Sequence, residues 1–259
     1  MMVSSEGARK PVVWSSGGGV QSTAIAALIC DGRLPRPDMA VMADTGREYA
    51  PVMDYLRETT IPALKAVGVD LHIASHDLAT VDLWSGKDGD TLLIPAFTDK
   101  SGRKGKLDKF CSQEWKKRVV QRFCKANGIT DADQWIGFTI DEMDRMRVYR
   151  EGRPWQHVYP LVDLKMTRGD CLALISRAGW PPPPRSSCWM CPFRSDEEWS
   201  LMKEESPGDF EKAVALEAEI RTRDEHVYLH RSLVPINEVD LTREPDLFSK
   251  PCNAGGCFT

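Results

Sequence analysis

Apolar residues along this chain fall into short clusters, and their spacing switches between the strand and helix periods. Val12-Val13-Trp14 and Met39-Ala40-Val41-Met42 are brief unbroken apolar runs, as in strands buried on both faces. Val69 to Ala74 alternates and predicts a third strand, and Trp135 to Ile140 predicts another. Helical patterns lie between them. Ala24 to Cys30 predicts a helix closed by Asp31-Gly32. Tyr49 to Thr60 carries Val52, Met53 and Leu56 on one side, with Pro62 restarting the helix. Ser112 to Asn127 turns Trp115, Val119, Val120 and Phe123 inward, with Gly128 as its C-cap. Further on, Thr167-x-x-Asp170 and Ser195-x-x-Glu198 mark helix starts, Pro207 to Arg223 contains another helix, and Pro181 to Pro184 forms a rigid spacer. Trp84 to Lys109, with Gly86, Gly89, Gly102 and Gly105 among many lysines, reads as a long mobile loop.

Ser15-Ser16-Gly17-Gly18-Gly19-Val20-Gln21-Ser22-Thr23 joins the first strand to the first helix. That order presents backbone N–H groups at the positive end of a helix dipole, where an anion can sit. Consecutive glycines let the backbone approach an oxyanion closely. The stretch has neither G-x-x-x-x-G-K-[ST] nor G-x-G-x-x-G, which excludes two common phosphate loops. A tight turn with no ligand is the alternative, but Ser16, Gln21 and Ser22 add polar donors to the same loop. Asp44-Thr45-Gly46 follows the second strand, at the end where open α/β sheets place ligands, although Asp and Thr also suit a helix N-cap.

Composition narrows the class. The chain has 259 residues and a formal net charge of −4, enough for one large α/β domain and without a global basic field for nucleic acid. No signal peptide or long apolar run is evident, so a cytoplasmic protein with no membrane partner is expected. Lys100, Arg103, Lys104, Lys106 and Lys109 nevertheless make one segment locally basic. That segment is either a solvated loop or a seat for an anionic substrate or partner, RNA and DNA included. Eight cysteines point to metal ligation or thiol chemistry in a reducing compartment. Cys30, Cys124 and Cys171 fall inside helical patterns and read as core residues. Cys188-Trp189-Met190-Cys191-Pro192 places two thiolates on one turn, followed by a proline as in iron–sulfur turns.

Ser16-Gly17-Gly18-Gly19-Val20-Gln21-Ser22 resembles the pyrophosphate (PP) loop of the adenine nucleotide α-hydrolase superfamily, with Gln21 where ATP-cleaving members carry aspartate. That glutamine, Asp44-Thr45-Gly46, Cys111-x-x-x-x-Lys116, Asp141-Glu142-x-x-Arg145 and Pro160-Leu161-x-Asp163 resemble the 3′-phosphoadenylylsulfate (PAPS) reductase branch and its phage-borne, cysteine-rich members. The resemblance implies a doubly wound parallel sheet with helices on both faces and a cysteine-rich helical C-terminal extension. It divides the chain into a nucleotide-binding domain over 1–165 and a cysteine-rich helical part over 166–259.

It also implies roles. Ser16, Gly17, Gly18, Gly19, Gln21 and Ser22 would hold the phosphate or sulfate end of PAPS, adenylylsulfate or ATP. Asp44, Thr45 and Gly46 would face the nucleoside, and Lys116 and Arg145 would offset anionic charge. Cys111, Cys188, Cys191 and Cys257 would ligate a [4Fe–4S] cluster, with structural zinc or a redox pair as the alternatives. Cys252 would be the attacking thiol, its role and that of Cys257 being exchangeable, and a thiol donor such as thioredoxin would complete the reduction. The rival reading is an ATP-dependent sulfurtransferase acting on nucleic acid; a nucleotide sensor without turnover is the third.

Overall fold

The computed structural model describes residues 9–85, 89, 91–100, 102–108, 110–146 and 153–241; Cys252 and Cys257 lie outside them. In chain order the strands are β1 (Val12–Ser16), β2 (Met39–Ala43), β3 (Leu71–Ala74), β4 (Trp84–Ser85), β5 (Thr91–Leu92), β6 (Phe97–Thr98), β7 (Gly105–Lys106), β8 (Ala132–Ile136), β9 (Trp155–Val158) and β10 (Val227–Tyr228). The helices are α1 (Val20–Cys30), α2 (Ala50–Tyr55), α3 (Ile61–Ala66), α4 (Arg118–Ala126), α5 (Pro160–Asp163), α6 (Arg168–Arg177), α7 (Asp196–Glu205) and α8 (Pro207–Arg223). The described residues form two compact units. One falls within Met1–Ala43, Asp54–Ala74 and Val119–Arg185, the other within Asp44–Met53, Ser75–Arg118 and Ser186–Thr259.

The first unit is built on a five-stranded, all-parallel sheet of order β3-β2-β1-β8-β9. Trp14 at its centre pairs in register with Ala40 on one side and Trp135 on the other. The chain steps outward from β1 to β3, then returns to the other side of β1 for β8. Right-handed crossovers therefore place α1 and α3 on one face and the returning helix α4 on the opposite face. This is the doubly wound α/β sheet expected. Helix α1 is buried all round, from Val20 through Ile29 apart from Gln21, because it packs on the sheet and against α6 and α3. Trp14, Ile25, Leu28, Met42 and Leu161 are fully buried there, each large side chain contributing about 2 kcal/mol of apolar burial.

Residues 50–66 run as one helix rather than two. A π-helical turn, Leu56–Thr60, links α2 to α3 directly before Pro62, which has no N–H to continue the ordinary ladder. The boxes at Thr167 and Ser195 form as expected. Each hydroxyl accepts from the backbone N–H three residues on, and Asp170 and Glu198 return the bond.

The second unit packs α7 and α8 with short strands: a three-stranded sheet of order β10-β6-β7 and the β4–β5 pair. Its core holds Trp115, Trp199, Ile94, Met202 and Ile236. The segment read as a long mobile loop is therefore folded over much of its length. Leu92, Leu93, Ile94, Ala96 and Phe97 are buried, and β6 and β7 pair as a hairpin. Its glycines and lysines mask this six-residue stretch, which is too short to show a period of its own.

Candidate functional site

In the first unit, the glycine loop leaves the carboxyl end of β1, the strand at which the sheet order reverses. Ligands of open α/β sheets bind at that crevice. Gly18 has φ of +71°, left-handed backbone that glycine adopts without a Cβ penalty. Gly17 N–H donates to Ser22 Oγ at 2.8 Å and Gly18 N–H to Ser16 Oγ at 3.3 Å, so both serines shape the loop. Gly19 is the N-cap of α1, with no side-chain cap and no acidic residue in the first turn. The first-turn N–H groups have no acceptor within the helix, and nothing negative on α1 opposes an anion there.

The chain leaving β8 closes over the same spot. A Cβ on Gly137 would lie 3.2 Å from Gln21 Cβ and 3.3 Å from Ser22 N, so this glycine allows the close approach. Gln21 Nε2 donates to Glu142 Oε2 at 2.7 Å, and Glu142 Oε1 pairs with Arg145. The Arg145 guanidinium lies 4.6 Å over Phe138, which stacks on Tyr159 at 5.6 Å. Asp141 accepts from Arg168 N–H at 2.6 Å and so caps the start of α6. Gln21 and Arg145 are thus brought together through Glu142. No role was expected of that carboxylate, although it sits inside the D-E-x-x-R element.

Asp44, Thr45, Gly46 and Lys116 belong to the second unit. Asp44 Oδ1 accepts from Gly46 N–H at 2.8 Å, a tight local turn with Gly46 at φ of +67°. Thr45 is fully buried; its hydroxyl donates to Glu48 Oε1 at 2.8 Å and lies 3.3 Å from Cys188 Sγ. Glu48 and Cys188 form an antiparallel bridge, and Trp189 N–H donates to Arg47 O at 3.0 Å. The Asp44–Glu48 segment is therefore bonded directly to the cysteine turn. Glu48, whose side chain is 3% exposed, was missed from sequence. Its Oε1 lies 3.9 Å from Lys116 Nζ, while Oε2 has no hydrogen-bond partner among the described residues.

Cys188 and Cys191 are both buried on one turn, with Cys191 N–H donating to Cys188 O at 3.1 Å and buried Trp189 and Met190 between them. This pair fits two thiolate ligands of one metal centre. Among the described residues, no group of three or more His, Cys, Asp or Glu is gathered to hold a metal ion. Cys111 is half-buried at the head of the π-helical turn Ser112–Lys117, in the same unit. The core thiols behave differently. Burial pushes Cys124 up to about 11 and Cys171 up to about 12, which keeps both protonated and inert. Cys30, expected in the core, is only half-buried, and burial raises its thiol as well.

No protein-family model matches the chain, and no curated protein matches it. Among solved structures it is similar to the phosphoadenylyl-sulfate (PAPS) reductase of Candida auris in a phosphate complex, at 15% identity and TM-score 0.44, over 70% of this chain and 83% of that one. It is also similar to the U34-tRNA thiolase NcsA of Methanococcus maripaludis with its [4Fe-4S] cluster, at 14% identity and TM-score 0.42, over 81% of this chain and 71% of that one. No helix among the described residues is long and apolar enough to cross a membrane.

Proposed function

We propose that the chain binds an adenine nucleotide, a sulfonucleotide by preference, and carries out reductive sulfur chemistry as a PAPS-reductase-like enzyme of the PP-loop kind. The observation that carries this reading is the glycine loop at the switch point of the parallel sheet, opening onto a helix terminus without a side-chain cap or acidic first turn. Ser16 to Ser22 receive the sulfate or phosphate end, and Arg145 supplies countercharge once Glu142 releases it. In the second unit, Thr45 and Lys116 are instead engaged with Glu48 beside the cysteine turn. Gln21 in place of an aspartate leaves the loop without the carboxylate expected of ATP-cleaving members.

Cys252, as thiolate, attacks the sulfate sulfur; the sulfur–oxygen bond to the nucleotide breaks, and a protein thiosulfonate and the nucleoside phosphate form. An external dithiol such as thioredoxin then releases sulfite, returning Cys252 to the thiol and leaving the donor as a disulfide. Cys111, Cys188, Cys191 and Cys257 would hold a [4Fe–4S] cluster. When bound, such a cluster would supply a redox-active, charge-rich centre. Thr45 and Glu48 position the Cys188 end of that set.

Two measurements test the reading. Calorimetric titration with PAPS, adenylylsulfate and ATP should give binding that Gly18→Asp abolishes while the circular dichroism spectrum is kept; undiminished affinity would remove the loop from the site. Iron and acid-labile sulfide, assayed on protein purified without oxygen, should both be lost in Cys188→Ala. One zinc and no iron in the unsubstituted protein would make the cysteines a structural staple. A second reading, ATP-dependent thiolation of a nucleic acid, is favoured by the basic β6–β7 hairpin.

A further inference from the structure

The β6–β7 hairpin carries Lys104 and Lys106, both exposed and neither in an ion pair with a carboxylate among the described residues. Their ammonium groups lie 5.7 and 5.6 Å from the ring of Phe97, which is itself buried. The ring face holds both ammonium groups beside one another at the surface. Lys106 also lies 5.7 Å from Phe193, the second residue after Cys191. The acidic residues of the hairpin are directed elsewhere: Asp99 pairs with His226 at 2.8 Å, and Asp108 lines a neighbouring cleft with Lys100, whose ammonium pairs with Asp224. Exposed Arg103 adds charge at the tip. Half-buried Phe193 follows Cys191-Pro192 on the lysine side, whereas Phe110, 42% exposed, lines the cleft with Asp108 and Asp224.

We propose that this hairpin and the ring of Phe193 form a docking strip for single-stranded nucleic acid. Lys104 and Lys106 track the phosphates, and the Phe193 ring takes a base. Cations along the backbone with flat faces for stacking are the elements by which single strands are held without groove reading. The strip is local, since the chain as a whole is acidic at −4, so contact is confined to this face. The docking rests on the thiolation reading, whose nucleic-acid acceptor it narrows to a single strand, and it depends on neither the glycine loop nor the metal.

The test is fluorescence anisotropy with short labelled oligothymidylate and oligouridylate, run on the full chain between about 50 and about 200 mM salt. Binding should weaken steeply with salt. The double substitution Lys104→Glu with Lys106→Glu should weaken it about tenfold or more, and should reduce the salt slope by about 1.4, or about 0.7 per lost phosphate contact. Phe193→Ser should weaken binding with the slope unchanged. Absence of oligonucleotide binding, or binding indifferent to the charge reversal, would overturn the proposal. So would equal competition by polyglutamate or anionic vesicles, which would assign the strip to an acidic protein or a membrane surface. Adenine nucleotide titration of the same variants separates the two readings. Lost oligonucleotide binding with retained nucleotide binding places the strip on the hairpin; the converse loss in unsubstituted protein sinks the loop reading alone.

Discussion

At the scale of single residues, the two candidate centres use polar groups in different ways, part-buried in one and buried in the other. Around the glycine loop, carboxylate and cation are paired and positioned by rings: Gln21 to Glu142, Glu142 to Arg145, Arg145 over Phe138. An arriving anion would compete with Glu142 for Arg145, a local exchange of one negative partner for another. Beside the cysteine turn, Glu48 is buried with Lys116 as its cation and one oxygen without a hydrogen-bond partner among the described residues. Removing the cation leaves a buried charge, whereas removing both charges does not. Lys116→Met should therefore destabilise the protein by about 3 kcal/mol, and adding Glu48→Gln should recover most of that loss; urea unfolding of the single and double variants measures it.

At the scale of elements, helix starts decide much of the path. The boxes at Thr167 and Ser195 satisfy backbone N–H groups that the first turn cannot pair internally. Thr167→Ala and Ser195→Ala should each cost about 1 kcal/mol in chemical denaturation, with near-full recovery for Thr167→Ser. The Asp141 contact to Arg168 N–H ties the start of α6 to the segment that carries Glu142 and Arg145. Fraying of α6 should therefore also lower nucleotide affinity. Titration of Thr167→Ala checks this, and unchanged affinity would show that α6 does not position the loop.

At the scale of the whole molecule, His230 links pH to stability. Burial holds its imidazolium below the ordinary pKa of 6.5; Asp196 opposes that shift, and Arg231 and Lys104 add to it. The imidazole is buried against Asp196 at 2.9 Å and Ser232 at 2.7 Å. Its folded pKa lies below its unfolded value, so the unfolded chain binds the proton more readily. The contribution is complete above about pH 6.5 and is lost as the pH falls through the folded value. Thermal melts from pH 7.5 down to about pH 5 should show a decline that His230→Asn flattens; an unchanged slope would exclude His230 as its source.

Local sequence alone determined the elements whose causes are local. A glycine run between an apolar strand and an apolar helix, two capping boxes and a C-x-x-C turn depend on neighbours within a few residues. All are legible because backbone geometry and capping act over that range. Burial of the region around Leu92 to Phe97 was not legible, since short strands owe their order to partners such as Val227 and Tyr228, far along the chain. Glu48 and Glu142 were illegible for a related reason. Each reads as one more surface acid until the fold carries it to Cys188, or to Gln21. Only the tertiary structure decided that β1 lies where the parallel sheet reverses, and that the Asp44–Glu48 segment bonds to the cysteine turn. Both depend on strand pairing and long-range burial, in which residues distant in sequence exclude water together, and no local pattern encodes which partner that will be.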